Sequence, residues 1–407
     1  MKRRENPSFG ADDDSICPSF IRILTPSSAR LTKRQRSAYS YAKKNALPPF
    51  AESRFIRKLG EHGSRQGLSV FAFAPWTWNP ADGTVQGWRF EPSLLKWQRE
   101  AHPLPALVYD RSWPANESEK RKYRQALRKL NSARRLAHLN GPLPGKAAVQ
   151  LALAGDERLS PYLPPTRLYE GTDSFLRWLT RNRGAAFLKP AAGSQGRRVV
   201  AVRRKADGSV SLRGRLADNR AFSCDCADFH EAAARIGRWI GGREYVMQPL
   251  LDLRNAKDEP FDIRALVQKN GKGRWALTGT AIRRGQAETV TANLHGGGTA
   301  EPAQAALASM FGGEKAVMLL EEIRECCLHV VCTLEQCYGR FAELGLDFGV
   351  DRSGRLWFLE ANSKPGRAAM ECFGEAVART AAGRPVSYAR HILFRSPGRV
   401  IHEFDHL

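Results

Sequence analysis

The chain has 407 residues, and its 64 Lys and Arg outweigh its 41 Asp and Glu to leave +23 at pH 7. A hydrophobic share of 42% and an aromatic share of 9% fit two or three folded domains and exclude a disordered chain. No apolar run approaches the roughly 18 residues of a membrane helix, and the charged start MKRRENPSFGADDDS lacks a signal peptide's apolar stretch, so neither a membrane-spanning nor a secreted protein is expected.

Residues 1–15, with Asp12, Asp13 and Asp14, read as disordered. Residues 28–47 read as helix, GLSVFAFAPWTWNP and VQGWRF as strands around an Asp82-Gly83 turn, and ALVYDRSW as a short buried strand. A basic helix follows over 118–139, with Ser118 as its cap. Residues 1–145 hold +14 of the excess charge and the remainder +9. Such basicity raises nucleic acid, an anionic surface or a phosphorylated ligand as partners. The interleaved Lys33, Arg34, Arg36, Tyr39 and Tyr41, and the stripe Arg121, Arg124, Arg128 and Arg135, are the features a nucleic acid would use. A solvated helix face explains them better, so nucleic acid is the less favoured partner.

NGPLPG (140–145) marks a boundary. Beyond it the pattern predicts helices at 146–154 and 173–182, the strand AAFLKP, a strand pair over 197–216, a helix at 228–241 and the strand REYVMQPL. Two long strands then flank Asn270-Gly271, followed by helices at 301–311 and 314–343 and a hairpin, GLDFGVDRSGRLWFLEAN. The end is helical near 366–381, with a basic tail over 386–407. Strands joined by tight turns argue for antiparallel sheets packed with helices, not a doubly wound parallel sheet.

Eight cysteines are too sparse for a disulfide scaffold. Cys326, Cys327, Cys332 and Cys337 fall in the long helix, where Leu320, Ile323, Cys327, Val330, Leu334 and Cys337 recur at three- and four-residue steps. Without a Cys-x-x-Cys pair, a core role is expected rather than zinc. Cys224 and Cys226 fall in a predicted loop.

Three oxygen-bearing residues carry the chemistry. With a hairpin loop at 351–354, residue 350 faces 355 and 347 faces 358, so Glu360 is diagonal to Asp347 on the face it shares with Asn362. Trp357, Leu359 and Ala361 then face the core. Such hard donors suit Mg²⁺ bridging substrate phosphates. A second signal is AFLKPAAGSQGRRV: Lys189 ends a strand, and the Gly193, Ser194, Gln195, Gly196 turn lets backbone N–H groups approach phosphate. Arg283, Arg284 and Asn293 sit near flexible glycines, where Arg suits phosphate or carboxylate.

Read in order, Lys146, Lys189 with its glycine loop, Gln248-Pro249-Leu250-Leu251, Asp262-Ile263-Arg264, NLHGGG (293–298), Asp347 and LEANSKPG resemble the ATP-grasp fold. The resemblance is closest to the YheC/YheD family of endospore coat-associated proteins and covers roughly residues 70 to 390, taking in GTVQGWRF and LPALVYDRSW. It implies an α+β ATP-grasp fold, two subdomains clasping ATP, after an N-terminal α/β pre-ATP-grasp domain. The domains would be 16–140 and 141–385, the latter as 141–250 with the glycine loop and 251–385 with the metal site.

The roles follow from the resemblance. Lys146 and Lys189 would contact the ATP phosphates and the adenine side, and loop 193–196 would close over the β- and γ-phosphates. Gln248, the Pro249 carbonyl and the Leu251 N–H would hold adenine, and Asp262 the ribose. Arg264, Arg283 and Asn293 would face phosphates or acyl substrate, while Asp347, Glu360 and Asn362 would hold one or two Mg²⁺, with Mn²⁺ as a substitute. His295, in the glycine loop, reads as structural or solvated. The implied activity is an ATP-dependent carboxylate–amine (or –thiol) ligase working through an acyl phosphate. It would be cytoplasmic in the mother cell or associated with the spore coat, with coat proteins as partners. The alternative is an ATP-binding coat protein with little turnover.

Overall fold

The computed structural model describes residues 20–24, 50, 52–112, 114, 116–191, 196–286, 289, 292 and 298–394. They form two compact units, one ending at Leu139 and taking in the chain from Ala382, the other running from Asn140 to Ala381.

The first unit holds β1 (Phe20–Leu24), α1 (Ser53–Arg65), β2 (Ser69–Asn79), β3 (Thr84–Glu91), β4 (Lys96–Pro103), β5 (Leu107–Asp110) and α2 (Glu117–Ala133). Its antiparallel sheet runs β4-β3-β2-β1-β5. The unbroken apolar run of β2 follows from helices on both faces. Phe71 and Phe73 pack with Leu130 of α2. The opposite face meets α1 at Gly63, where an added Cβ would lie 2.5 Å from Val70. Helix α1, which buries Phe55, Ile56 and Leu59, is absent from the sequence reading. The helix expected over 28–47 lies outside the described residues. The cap of α2 is Asn116, not Ser118: its extended backbone lets its side chain accept the Glu119 N–H at 2.9 Å. The helix stops at Ala133, where the Asn131 side chain takes the Leu136 N–H, so Arg135 falls outside the helical stripe.

The second unit is built on two antiparallel sheets. The first comprises α3 (Lys146–Ala154), β6 (Arg167–Leu168), α4 (Thr172–Arg181), β7 (Ala185–Pro190), β8 (Val200–Arg204), β9 (Val210–Arg215), β10 (Ala221–Cys226), α5 (Phe229–Ile240) and β11 (Tyr245–Gln248). Its strands run β10-β9-β8-β7-β11-β6. Phe175 and Leu179 of α4 and Ile236 of α5 cover one face, against Leu188, Val202 and Met247. Cys224 and Cys226 belong to edge strand β10, not a loop, and Cys226 is buried.

The second sheet comprises β12 (Phe261–Lys269), β13 (Trp275–Arg284), β14 (Thr299–Pro302), α6 (Ala303–Phe311), α7 (Gly313–Tyr338), β15 (Glu343–Val350) and β16 (Leu356–Asn362). Its order is β14-β13-β12-β15-β16. Leu153 of α3, Leu307 of α6 and Ile323, Cys327 and Val330 of α7 pack against Ile263, Ala265, Leu346 and Phe348. Cys326 and Cys327 are buried, and burial pushes the Cys326 thiol up to about 12, as a core role requires. Cys337 is exposed, so it leaves the predicted stripe. Helix α8 (Glu375–Phe394) passes through Pro385 and buries Val386 and Ala389, where a tail from 386 was expected.

Candidate active site

Strand alternation explains where the polar residues go. On β7, Ala186 and Leu188 meet the helices, which turns Lys189 to the other face; on β11, Tyr245 and Met247 do the same for Gln248. On the second sheet, Ile263, Ala265, Ile282, Leu346 and Phe348 face the helices, leaving Asp262, Arg264, Arg283 and Asp347 on the open face.

Cross-strand pairing then assembles an ionic network. Asp262 and Arg283 are direct partners, with Arg283 Nε donating to Asp262 Oδ1 at 2.5 Å. Arg283 Nη2 lies 3.0 Å from Asp347 Oδ2. Arg264, opposite Asp347 on the next strand, grips the same carboxylate with Nε on Oδ1 and Nη2 on Oδ2 at 2.8 Å. Both Asp347 oxygens are thus held by guanidinium groups.

The hairpin differs from its predicted register. Val350 pairs with Leu356 and Phe348 with Phe358; Leu359 is then bulged out, and Asp347 sits directly opposite Glu360 rather than diagonal to it. The extra residue also reverses the alternation. Leu356 and Phe358 enter the core, with Ala361 against it, whereas Trp357 faces away. Trp357 Nε1 donates to Asp351 at 2.8 Å, and the Arg355 guanidinium stands 4.0 Å above the ring. The expectation that Trp357 and Leu359 face the core is thereby corrected. The bulge serves the site: Lys189 Nζ donates to the Leu359 carbonyl at 3.2 Å.

Glu360 Oε2 accepts from Lys146 Nζ at 2.6 Å. Asn362 Nδ2 lies 3.2 Å from Glu360 Oε1 and 3.5 Å from Asp347 Oδ2. Lys146 reaches this point because its N–H donates to the Ala191 carbonyl at 2.7 Å, tying the start of α3 to the end of β7. Asn140 braces the other side. Its Oδ1 accepts the N–H groups of Ala342 (2.7 Å) and Glu343 (3.0 Å), and its Nδ2 donates to the Ser363 carbonyl. The segment NGPLPG is therefore a brace as well as a boundary.

Burial, reinforced by the Lys146 charge, pushes the Lys189 ammonium down to about 7, against the pull of Glu360 and Asp347. Burial pushes Asp262 up to about 6, despite Arg283. For Glu360, burial is outweighed by Lys146 and Lys189, which hold its carboxyl well below the usual range. Burial likewise disfavours the Arg283 charge, but Asp262 and Asp347 overcome it and hold its proton more firmly.

Between the two sheets is a pocket with apolar lining from Val149, Val246 and Phe358 and polar lining from Gln150, Thr166 and Gln248. Lys146, Lys189 and Glu360 also line it. Gln248 Nε2 donates to Thr166 Oγ1 at 2.8 Å.

The fold thus gathers Lys146, Lys189, Arg264, Arg283, Asp262, Asp347, Glu360 and Asn362, with Gln248 on the same pocket. Pro249 and Leu251 follow β11, both half-buried. Asp262, expected by the ribose, is the partner of Arg283. Gly196 occupies a turn at φ +61°, which glycine adopts without strain. Gly193, Ser194, Gln195, Asn293 and His295 lie outside the described residues. Thr166, Gln150 and Asn140 went unnoticed in the sequence, because a lone Thr, Gln or Asn carries no spacing signal.

Among the described residues, no three His, Cys, Asp or Glu side chains gather as a metal-binding group. Asp347 and Glu360, on directly paired residues, nevertheless offer hard carboxylate oxygens suited to Mg²⁺, whereas Asn362 meets them through its amide nitrogen and would have to turn its oxygen inward to join them. Cationic side chains now neutralise these carboxylates, the charge role a divalent cation would share.

A family model described as YheC/D like ATP-grasp matches residues 135–392. The chain belongs to this family, and its two helix-backed antiparallel sheets are those of the ATP-grasp fold. It is similar to the endospore coat-associated protein YheC of Bacillus subtilis (strain 168), with 27% identity over 321 residues, 78% of this chain and 86% of that protein. YheD of the same organism is 26% identical over 324 residues, 79% of this chain and 70% of that protein. Among solved structures, the ATP-grasp ligase PsnB complexed with minimal precursor superposes at TM-score 0.46, with 13% identity, over 83% of this chain and 96% of that one.

Proposed function

We propose that the chain is an ATP- and Mg²⁺-dependent ligase joining a carboxylate to an amine through an acyl phosphate. One observation carries this reading. Lys146, Lys189, Arg264 and Arg283 converge on Asp262, Asp347 and Glu360 beside a pocket that pairs apolar walls with the Gln248 amide. Lys146, Arg264 and Arg283 already balance the three carboxylates, so the charge that Lys189 carries when protonated is left for a nucleotide to meet.

In this reading the pocket takes adenine against Val149, Val246 and Phe358, with Gln248 and the backbone of Pro249 and Leu251 as its polar contacts. Lys146 turns from Glu360 to the phosphates. Lys189 joins it, and loop 193–196 closes over them and excludes water. Asp347, Glu360 and Asn362 would hold Mg²⁺ or Mn²⁺, which when bound supplies neutralisation of phosphate charge. Asp262 keeps Arg283 in place, and Arg264, Arg283 and Asn293 orient the substrate carboxylate.

A carboxylate oxygen bonds to the γ-phosphorus as the bond to ADP breaks. The amine nitrogen then bonds to the acyl carbon, phosphate leaves, and the amine gives up a proton. Such chemistry needs positioning and charge more than covalent help from the protein. The relatives' association with the endospore coat supports a ligase of a sporulating cell, acting in the mother cell or at the coat.

The test is ADP release from purified protein with Mg-ATP and pooled amino acids, peptides and polyamines. We expect ADP only when an acyl donor and an acceptor are both present. ATP that stays bound without turnover under every pool would favour a structural, nucleotide-binding coat protein.

A further inference from the structure

We propose that the exposed face of α2 is a docking surface for an acidic polypeptide. From Lys120 to Gly155 the chain has nine Lys and Arg and no Asp or Glu. Helix α2 buries Ala126 and Leu130, so Arg121, Arg124 and Arg128 are exposed along one side, flanked by Lys122 and Lys129. The helix's own acids are both in its first turn and engaged there: Glu117 holds Lys120 at 2.6 Å, and Glu119 accepts from Asn116 at 3.1 Å. Among the described residues, no carboxylate lies within ion-pair reach of Arg121, Arg124, Arg128 or Lys129.

This arrangement works against the helix. Lys120 with Arg124, and Arg124 with Arg128, are like charges one turn apart, each mildly destabilising. Arg121 also lies near the N-terminal end, where the helix dipole disfavours a cation. Glu117 offsets part of this from the first turn, where it attracts Arg121 and Arg124 as well as Lys120, and the rest of the stripe is open to a partner that supplies negative charge.

An extended acidic chain can lie along the stripe, with the flexible Arg side chains taking up the difference in spacing. Arg121, Arg124 and Arg128 advance by about 4.5 and 6 Å along the axis. Alternate side chains of an extended peptide repeat at about 6.6 Å. A single-stranded nucleic acid would need open aromatic platforms. Trp76, beside α2, already has the Lys122 ammonium 5.1 Å from its ring centroid. The choice of carboxylate over phosphate rests on the proposed reaction, which consumes a carboxylate.

The experiment measures binding of a fluorescent oligoglutamate to the full chain without nucleotide, beside duplex DNA and phosphatidylserine vesicles. We expect salt-sensitive oligoglutamate binding. It should fall about tenfold in the combined Arg121→Glu, Arg124→Glu, Arg128→Glu variant and a few-fold in the corresponding Gln variant, as weak exposed ion pairs allow. Circular dichroism checks that both variants fold, and nucleotide binding should be unchanged. Absent oligoglutamate binding, equal binding by the variants, or tighter binding to DNA or vesicles would each overturn the proposal. Because no ATP is present, failure of the ligase reading, scored by ADP release, remains a separate result.

Discussion

Strand β12 carries two buried ionic clusters on opposite faces. On the helix-covered face, Lys269 Nζ meets Glu335 Oε1 of α7 at 2.6 Å, and Trp275 Nε1 donates to the other oxygen at 3.1 Å. The Phe341 N–H adds a third contact at 3.3 Å, and the ammonium stands 5.1 Å from the Trp275 ring centroid. On the open face, Arg264 and Arg283 hold Asp347, while Lys146 holds Glu360 beside the pocket. Both clusters are charged and hydrogen-bonded, so buried charge alone does not mark a site. The difference is exchangeability. Lys269 is 2% exposed and enclosed by α7, whereas the Lys146 and Glu360 side chains, 22% and 24% exposed, can part and take other partners.

Substitution should separate the two. Lys269→Met strands Glu335 in a closed core and should cost about 3–5 kcal/mol in urea unfolding, with nucleotide affinity unchanged in the folded fraction. Glu360→Gln frees an ammonium that can turn to water, so the fold should change by less than about 1 kcal/mol. ADP formation should nonetheless fall by about 10²- to 10³-fold. If Glu360→Gln unfolded the protein as Lys269→Met does, both clusters would be structural and the distinction would fail.

Lys146→Met sharpens the same point with a smaller effect. Losing a phosphate contact should weaken ATP by about tenfold, or about 1.4 kcal/mol. The same change releases Glu360, so binding of Mn²⁺ alone, followed by electron paramagnetic resonance of the free ion, should tighten several-fold. Unchanged Mn²⁺ binding would mean that Lys146 does not stand in for the cation.

The two faces were unequally legible in the sequence. Alternation placed Lys189, Asp262, Arg264, Arg283 and Asp347 on strands, because a period of two survives in any sheet with one covered face. It could not place Glu360 opposite Asp347, because that depends on a bulge at Leu359 which no residue preference marks. Nor did it show Asn140 as a brace: a turn signal reads the same whether its side chain is free or joined to strands 200 residues away. Helix α1 was missed because Gly60 and Gly63 lower its helix propensity, although Gly63 is what lets it approach Val70. Edge strand β10 reads as a loop, and the end of β14 reads as the start of the helix expected over 301–311.

The finest test concerns Lys189, which donates to a bulged carbonyl and, among the described residues, pairs with no carboxylate. In the ligand-free fold burial brings its ammonium to about 7, whereas in an unfolded chain it titrates near lysine's ordinary 10.5. Below pH 7 both states hold the proton. Between about 7 and 10.5 the unfolded chain keeps a proton that the fold has shed, so this group makes the empty protein more stable as pH rises through that window. Phosphates beside Lys189 reverse the preference and restore the ammonium. Nucleotide binding should therefore take up about half a proton at pH 7, approach one at pH 8 and take up little at pH 6. Calorimetry in buffers of different ionisation enthalpy reads this directly, with Lys189→Met as the control that abolishes it. Uptake that stayed flat from pH 6 to 8 would remove Lys189 from the phosphate contacts and leave Lys146 as the lysine that answers to the nucleotide.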